Sequence, residues 1–212
     1  MKKKSFFITL EGNEGCGKST QIRLLHDLLR KKGYPVFTTR EPGGSKIGDE
    51  IRRILLDPTH REMSVLTETL LYMASRAQLV EEVIFPKLKQ GMVVICDRWL
   101  DATVAYQGAA GGLSLKWIKE IGRAATRHLT PDLSLYLDLP VRVGLARAKK
   151  RHAADRVEKK SLVYHEKVRR GYLRISKEEP VRFRRLPIGP EETAADVHAR
   201  IQREVERVLA KR

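Results

Sequence analysis

Gly12, Gly17, Lys18 and Ser19 stand in the spacing G-x-x-x-x-G-K-[ST], inside the run Phe6–Ser19, FFITLEGNEGCGKS. That spacing suits phosphate chemistry. Backbone N–H groups of such a loop cradle phosphates, the lysine reaches the β and γ phosphates, and the hydroxyl helps hold Mg²⁺. Gly15 adds a third point where the backbone can close on an anion without a Cβ in the way. A helix following the loop offers its positive N-terminal end to the same anion. The expected ligand is a nucleoside triphosphate; the plain alternative is a glycine-rich strand-to-helix turn with no ligand.

A phosphate loop needs a magnesium-orienting carboxylate at a nearby strand end. Asp97, directly after the apolar run Met92–Cys96, is the candidate, and Arg98 beside it can aim a planar fork at a phosphate. The plain alternative for Asp97 is a strand-end cap or a structural ion pair with Arg98. Glu11 and Glu41 also stand at strand ends, and Glu14 sits inside the loop, which has no arginine of its own. Charge for a phosphoryl-transfer transition state must then come from elsewhere, and Arg147, Lys149, Lys150, Arg151 and Arg156 offer it. Read alone, such a charge run is a solvated face. Tyr72 and Arg76, four residues apart, share a helix face and could pair a stacking ring with a hydrogen-bonding fork; a surface tyrosine beside an arginine paired to an acid fits the spacing as well.

These groups need elements to hold them. Ser5–Glu11 reads as a strand, Lys18–Lys32 as a helix stopped by Gly33, and Val36–Arg40 as a second strand. Glu41-Pro42-Gly43-Gly44 is a turn cluster, Ile47–Leu56 a short helix, and Val65–Lys89 a long one with Pro86 kinking or resetting its end. Met92–Cys96 is a strand buried on both faces, as in a parallel sheet. A polar and aromatic segment runs on through Tyr106-Gln107-Gly108 to the break at Gly111-Gly112. Ser114–Thr126 is helical, Leu133–Leu139 a strand, Val141–Lys150 a helix, Lys149–Glu158 a charged loop and Leu162–Lys177 a helix. Val181–Leu186 is the last strand and Thr193–Leu209 an amphipathic closing helix. Alternating β and α units predict an α/β fold: three layers, a five-stranded parallel sheet flanked by helices, with a short basic lid at about 147–158. No repeat or linker divides residues 1–212, so one domain is expected.

The chain has 212 residues, 42% hydrophobic and 32% charged, with net charge +16. No stretch approaches a membrane span, and the apolar run of MKKKSFFITL stops at Glu11, too short for a signal core, so the cytoplasm is expected. Cys16 and Cys96 support neither a disulfide framework nor a zinc site. The positive charge favours polyanionic partners, yet there is no ribonucleoprotein motif, no basic heptad and no finger spacing, which argues against nucleic-acid binding as the main task.

EGNEGCGKST, TREPGG, TLLYMASRAQLVEE, the strand ending CDRW, then AYQG, PDLSLYLDLP and RAKKRHAADR follow one another in the order of one family. The chain resembles the thymidylate kinases of bacterial type, a branch of the P-loop nucleoside monophosphate kinases, from about Phe6 to Arg174, over three quarters of its length. The resemblance implies ATP + dTMP ⇌ ADP + dTDP with Mg²⁺, in a homodimer formed through helices. It implies that Gly12, Asn13, Glu14, Gly15, Cys16, Gly17, Lys18, Ser19 and Thr20 form the ATP phosphate site, with Arg147 against adenine. Ser19 and Asp97 would serve the metal. Glu14 would hold the 3′-hydroxyl of dTMP, Tyr72 stack on thymine, Arg76 hydrogen-bond it, and Arg52 and Arg98 clamp its phosphate. Thr103 and Gln107 would sit near the base, and Tyr106 would wall off the sugar's 2′ side. Lys18, Asp97, Arg98 and Arg151 would serve catalysis, Arg151 from the lid.

Three positions depart from the family pattern: Tyr72 is usually Phe, Trp99 is a bulky variant, and Cys16 replaces a small residue, usually Ala. Cys16 is thereby a candidate oxidation-sensitive thiol at a helix start. Arg182–Glu192 matches poorly, so no adenine contact is assigned there. The alternatives are another nucleoside monophosphate or deoxynucleoside kinase and, from a different class, a nucleic-acid-binding regulator on an ATP fold. A GTPase lacks support: neither N-K-x-D nor D-x-x-G is present.

Overall fold

The computed structural model describes residues 5–150 and 155–210. Five parallel strands run β1 (Phe6–Glu11), β2 (Val36–Arg40), β3 (Val93–Asp97), β4 (Leu133–Asp138) and β5 (Phe183–Pro187), in the spatial order β2-β3-β1-β4-β5. The central strand β1 is buried along its whole length, with Ile8 opposite both Ile95 and Leu133. Strand alternation divides its side chains between two helical layers. Phe6, Ile8 and Leu10 pack with Leu25 and Leu29 of α1 (Lys18–Lys31) and with Ile201 and Val205 of α9 (Ala194–Leu209). Phe7 points the other way, among Leu79, Val80, Ile84 and Trp99.

Between these lie α2 (Lys46–Leu56), α3 (Val65–Leu79), α4 (Phe85–Lys89), α5 (Leu100–Thr103), α6 (Leu115–Ala125), α7 (Val141–Lys149) and α8 (Leu162–Glu178). Three boundaries differ from the sequence reading. The long helix 65–89 carries a π-helical turn at Val80–Ile84, where the Phe85 N–H bonds to the Val80 carbonyl. The wider turn comes just before Pro86, which has no N–H to give. The segment after Asp97-Arg98 is helical, α5 running into a π-helical stretch Val104–Ala110. Its wide turns break the 3.6-residue period, so the sequence shows no helical stripe there. The last strand starts at Phe183, and Val181 is exposed. Phe183 and Leu186 carry its inward face, while Arg182, just before it, grips Asp101 through both carboxylate oxygens at 2.7 and 2.8 Å.

Helices α2, α3, α6, α8 and α9 open on Ser45, Ser64, Ser114, Ser161 and Thr193, each side chain accepting a first-turn N–H. Such caps contribute about 1 kcal/mol apiece. Helix α1 opens instead on Gly17, at φ 95°, with no side-chain cap and no acid in its first turn. Its first N–H groups stay open to a ligand at the carboxyl edge of the sheet. Among the described residues, no helix is long and apolar enough to cross a membrane.

Candidate active site

The loop after β1 closes tightly on α7. A Cβ on Gly15 would lie 2.0 Å from the Gly144 carbonyl oxygen, so no side chain fits there. Lys18 turns back across the loop, its Nζ donating to the Gly12 and Asn13 carbonyls at 3.1 Å. The Asn13 Nδ2 donates to the His165 carbonyl at 3.1 Å, which fastens the loop to α8. Cys16, the candidate oxidation-sensitive thiol, is buried (4% exposed), with its sulfur against Gly12.

A cleft of about 260 Å³ opens beside this loop at the carboxyl ends of β1, β2 and β3. Glu14, Gly15, Lys18 and Ser19 form its floor. Arg52, Tyr72, Arg76, Asp97, Arg98, Thr103, Tyr106 and Gln107, drawn from four further segments, form its walls. Most sequence candidates therefore meet in one place. Asp97 ends β3, one residue inside the strand rather than just after it, and shares the cleft with Ser19. Gly12, Asn13, Cys16 and Gly17 shape the loop from behind. Thr20 faces a separate hollow between α1 and α9, with His198. Arg147 lies to one side, its Nη2 donating to the Pro190 carbonyl at 2.6 Å. Arg151 lies outside the described residues. Arg156, grouped by sequence with the solvated basic loop, is buried: its Nε donates to the Leu55 carbonyl at 2.8 Å, and its guanidinium pairs with Glu68 at 3.1 Å.

Glu14 is the electrostatic centre. Its Oε1 accepts from Tyr106 Oη at 2.7 Å and Arg98 Nη2 at 3.0 Å, and its Oε2 lies 3.2 Å from His165 Nδ1. Burial alone would raise the Glu14 carboxyl, but the His165 contact and the Arg98 and Lys18 charges outweigh it and hold the group well below its ordinary value. Arg98 stands at φ 73°, a left-handed backbone uncommon for a side chain of its kind, and its guanidinium lies 4.9 Å from the Tyr106 ring centre. Its Nη1 donates to Tyr172 Oη at 3.3 Å, and Tyr172 Oη donates to Glu11 Oε2 at 2.9 Å. Burial, and then Asp101, push the Glu11 carboxyl up, opposite to Glu14 three residues away.

Arg76 is buried (1% exposed). Its Nε donates to Glu41 Oε2 at 2.7 Å, its Nη2 to Thr103 Oγ1 at 3.1 Å, and Trp99 lies beneath it at 5.7 Å. Arg52 Nη1 donates to the Pro42 carbonyl at 2.9 Å across the cis Glu41-Pro42 turn. Burial, then the like charge of Arg40, lower the Arg52 pKa. Two arginines crowding one corner make a site for a dianion.

The depressed Glu14 carboxyl carries a pH signature. A group whose folded pKa lies below its unfolded value near 4.5 adds stability above that value and loses it as pH falls toward the folded one. Glu14→Gln should therefore flatten the fall of Tm between about pH 5 and about pH 3. Thermal melts of both proteins across that range check this; parallel curves would overturn it.

Sequence reading passed over His165, Glu68 and Arg40. His165 occupies a core position of α8, in the stripe His165, Val168, Tyr172, Ile175, where a polar residue needs a reason. Glu68 stands four residues before Tyr72 and eight before Arg76, on the face those two share. Arg40 ends a strand at the turn cluster and lines the cleft.

A sequence model of the family described as thymidylate kinase matches residues 10–201. A thymidylate kinase of Symbiobacterium thermophilum is 46% identical over 208 residues, 98% of this chain and 96% of that one. Another, of Citrifermentans bemidjiense, is 50% identical over 184 residues, 84% of this chain and 82% of its own. The crystal structure of thymidylate kinase from Ehrlichia chaffeensis superposes with a TM-score of 0.78 at 28% identity, covering 96% of this chain and 99% of that one.

Proposed function

This chain belongs to the thymidylate kinase family, it phosphorylates dTMP to dTDP with ATP as donor, and from that premise we propose how its residues divide the work. The observation that carries the proposal is the joining, in one cleft, of an uncapped helix start with Lys18 to a wall of Arg52, Tyr72, Arg76 and Gln107. The first half fits a triphosphate, and the second fits a base with its phosphate.

ATP lies along the Gly12–Thr20 loop, its β and γ phosphates at the α1 N-terminus and at Lys18, with Arg147 toward adenine. The dTMP phosphate lies against Arg52 and Arg98, its base between Tyr72, Arg76, Thr103 and Gln107, and its sugar beside Glu14 and Tyr106. A dTMP phosphate oxygen attacks the γ-phosphorus in line, the bond from that phosphorus to the bridging oxygen breaks, and ADP leaves. Catalysis is then positioning and charge, with no covalent intermediate. Ser19 and Asp97 are oxygen donors sharing the cleft with Lys18, a set that suits Mg²⁺. When bound, the ion would neutralise phosphate charge.

The whole chain is one kinase domain, with a lid at about 147–158 in which Arg151 meets the transferring phosphoryl group; lid closure would exclude water and spare ATP from hydrolysis. The homodimer forms through α2 and α3, whose Ile47, Ile54, Leu66 and Leu70 remain exposed. Light scattering at the mass of one chain would overturn that assignment. The reaction belongs in the cytoplasm, and cell fractionation checks the location.

A coupled ADP-release assay tests the scheme. ADP release should require dTMP, stop when divalent cations are chelated, and return with Mg²⁺. Turnover in the presence of chelator would remove the metal role from Ser19 and Asp97.

A further inference from the structure

Glu68 is fully buried, yet it is bound by three groups from two other segments. Gln107, from the π-helical stretch, donates its Nε2 to Glu68 Oε1 at 3.1 Å. The Arg156 guanidinium lies 3.1 Å from Oε1 and donates Nη1 to Oε2 at 3.4 Å. Lys160 Nζ donates to Oε2 at 3.3 Å. Arg156 is itself fixed to the end of α2, its Nε on the Leu55 carbonyl and its N–H on the Leu56 carbonyl. Removing an acid and its guanidinium partner from water is expensive, and a tie of this kind serves specificity better than stability.

The chemistry of the tie is directional. A carboxylate facing two cations offers lone pairs only, whereas a glutamine amide has one donor end and one acceptor end. The Gln107 amide must therefore give its NH₂ to Glu68. Its carbonyl Oε1 accepts no hydrogen bond among the described residues, and Gln107 lines the cleft. We propose that Glu68 is a positioning residue that sets the polarity of the Gln107 amide, so that the cleft presents an acceptor and selects a pyrimidine carrying N3–H over one whose N3 is an acceptor. Thymine carries that N–H; cytosine puts a lone pair in the same place. Acceptor against acceptor leaves both buried and unpaired, which lowers use of the wrong base roughly ten- to a hundredfold. The proposal rests on the reading that Gln107 lies at the base.

The variant Glu68→Gln tests it. Its carbonyl stays with Arg156 and Lys160, its NH₂ turns to Gln107, and the Gln107 amide reverses. The ratio of kcat/KM for dTMP to that for dCMP should fall by at least about tenfold. Both nucleotides are measured on one preparation, so a smaller folded fraction cancels, and a merely structural role leaves the ratio unmoved. A ratio within about twofold of the parent overturns the proposal. Should E68Q fail to fold, E68Q/R156M, which removes the acid and a buried cation together, carries the same expectation and the same overturning result. Gln107→Leu separates the two layers. A ratio equal to the parent's in Q107L overturns the base reading and the proposal with it. A collapsed ratio in Q107L beside an intact one in E68Q overturns the proposal alone.

Discussion

Replacing Lys18 with Met should lower kcat by roughly 10²–10³ and leave the fold in place. The ammonium is buried (9% exposed) and held by two backbone carbonyls of its own loop at 3.1 Å, so its charge is already positioned and largely stripped of water. Charge placed in advance, away from solvent, costs no reorganisation when negative charge moves across the γ-phosphoryl group. A loss of that size is about 3–4 kcal/mol of transition-state stabilisation. Methionine keeps the packing of the stem, and the carbonyls it abandons lie in a loop that water reaches through the cleft. Arginine is no substitute, because its larger planar fork does not take the place of a compact ammonium held between two carbonyls of a tight loop. Single-turnover rates with melting curves measure both effects. A kcat within about threefold of the parent at unchanged Tm would remove Lys18 from the chemistry.

The phosphate loop was legible because its information is local. Strand, glycines, lysine and helix lie within Phe6–Lys31, and the loop folds as its spacing says. The parallel sheet was legible for a related reason, since apolar runs alternating with helical stripes leave few other topologies. The cleft walls were readable as far as they lay on a regular helix: Tyr72 and Arg76 share a face and meet the cleft together. What escaped was pairing over distance. Arg98 and Glu14 are 84 residues apart, and Arg156 and Glu68 are 88 apart. No period or spacing connects such pairs; only the folded sheet does. Arg156 looked like part of a solvated run because Arg147, Lys149, Lys150 and Arg151 lie just upstream of it, while its own partner stands on α3. The π-helical stretch hid Gln107 from helical periodicity for the geometric reason already given, and with it the Glu68 tie.

Arg76→Ala should cost both stability and recognition, and the two losses can be separated. The Arg76–Glu41 pair is almost wholly buried, at 1% and 3% side-chain exposure. Truncating one partner of such a pair costs roughly 3–5 kcal/mol, because the other charge stays behind without compensation. Glu41 already shows the strain: burial raises its carboxyl more than Arg76 lowers it, and its Oε1 has no hydrogen-bond partner among the described residues. Without Arg76 the folded pKa of Glu41 should rise further. A raised carboxyl binds more protons folded than unfolded, so the variant should lose stability as pH rises and recover it as pH falls and Glu41 protonates. The gap in Tm between parent and R76A should therefore be wider at about pH 8 than at about pH 5. The double variant R76A/E41Q removes the stranded charge and should restore most of the lost stability, a coupling that a double-mutant cycle reads directly. It should not restore kcat/KM for dTMP if Arg76 gives a hydrogen bond to the base as proposed, because that donor stays absent. Recovery of both would make Arg76 a structural cation only, while recovery of neither would place the cost in lost packing over Trp99 and Met73.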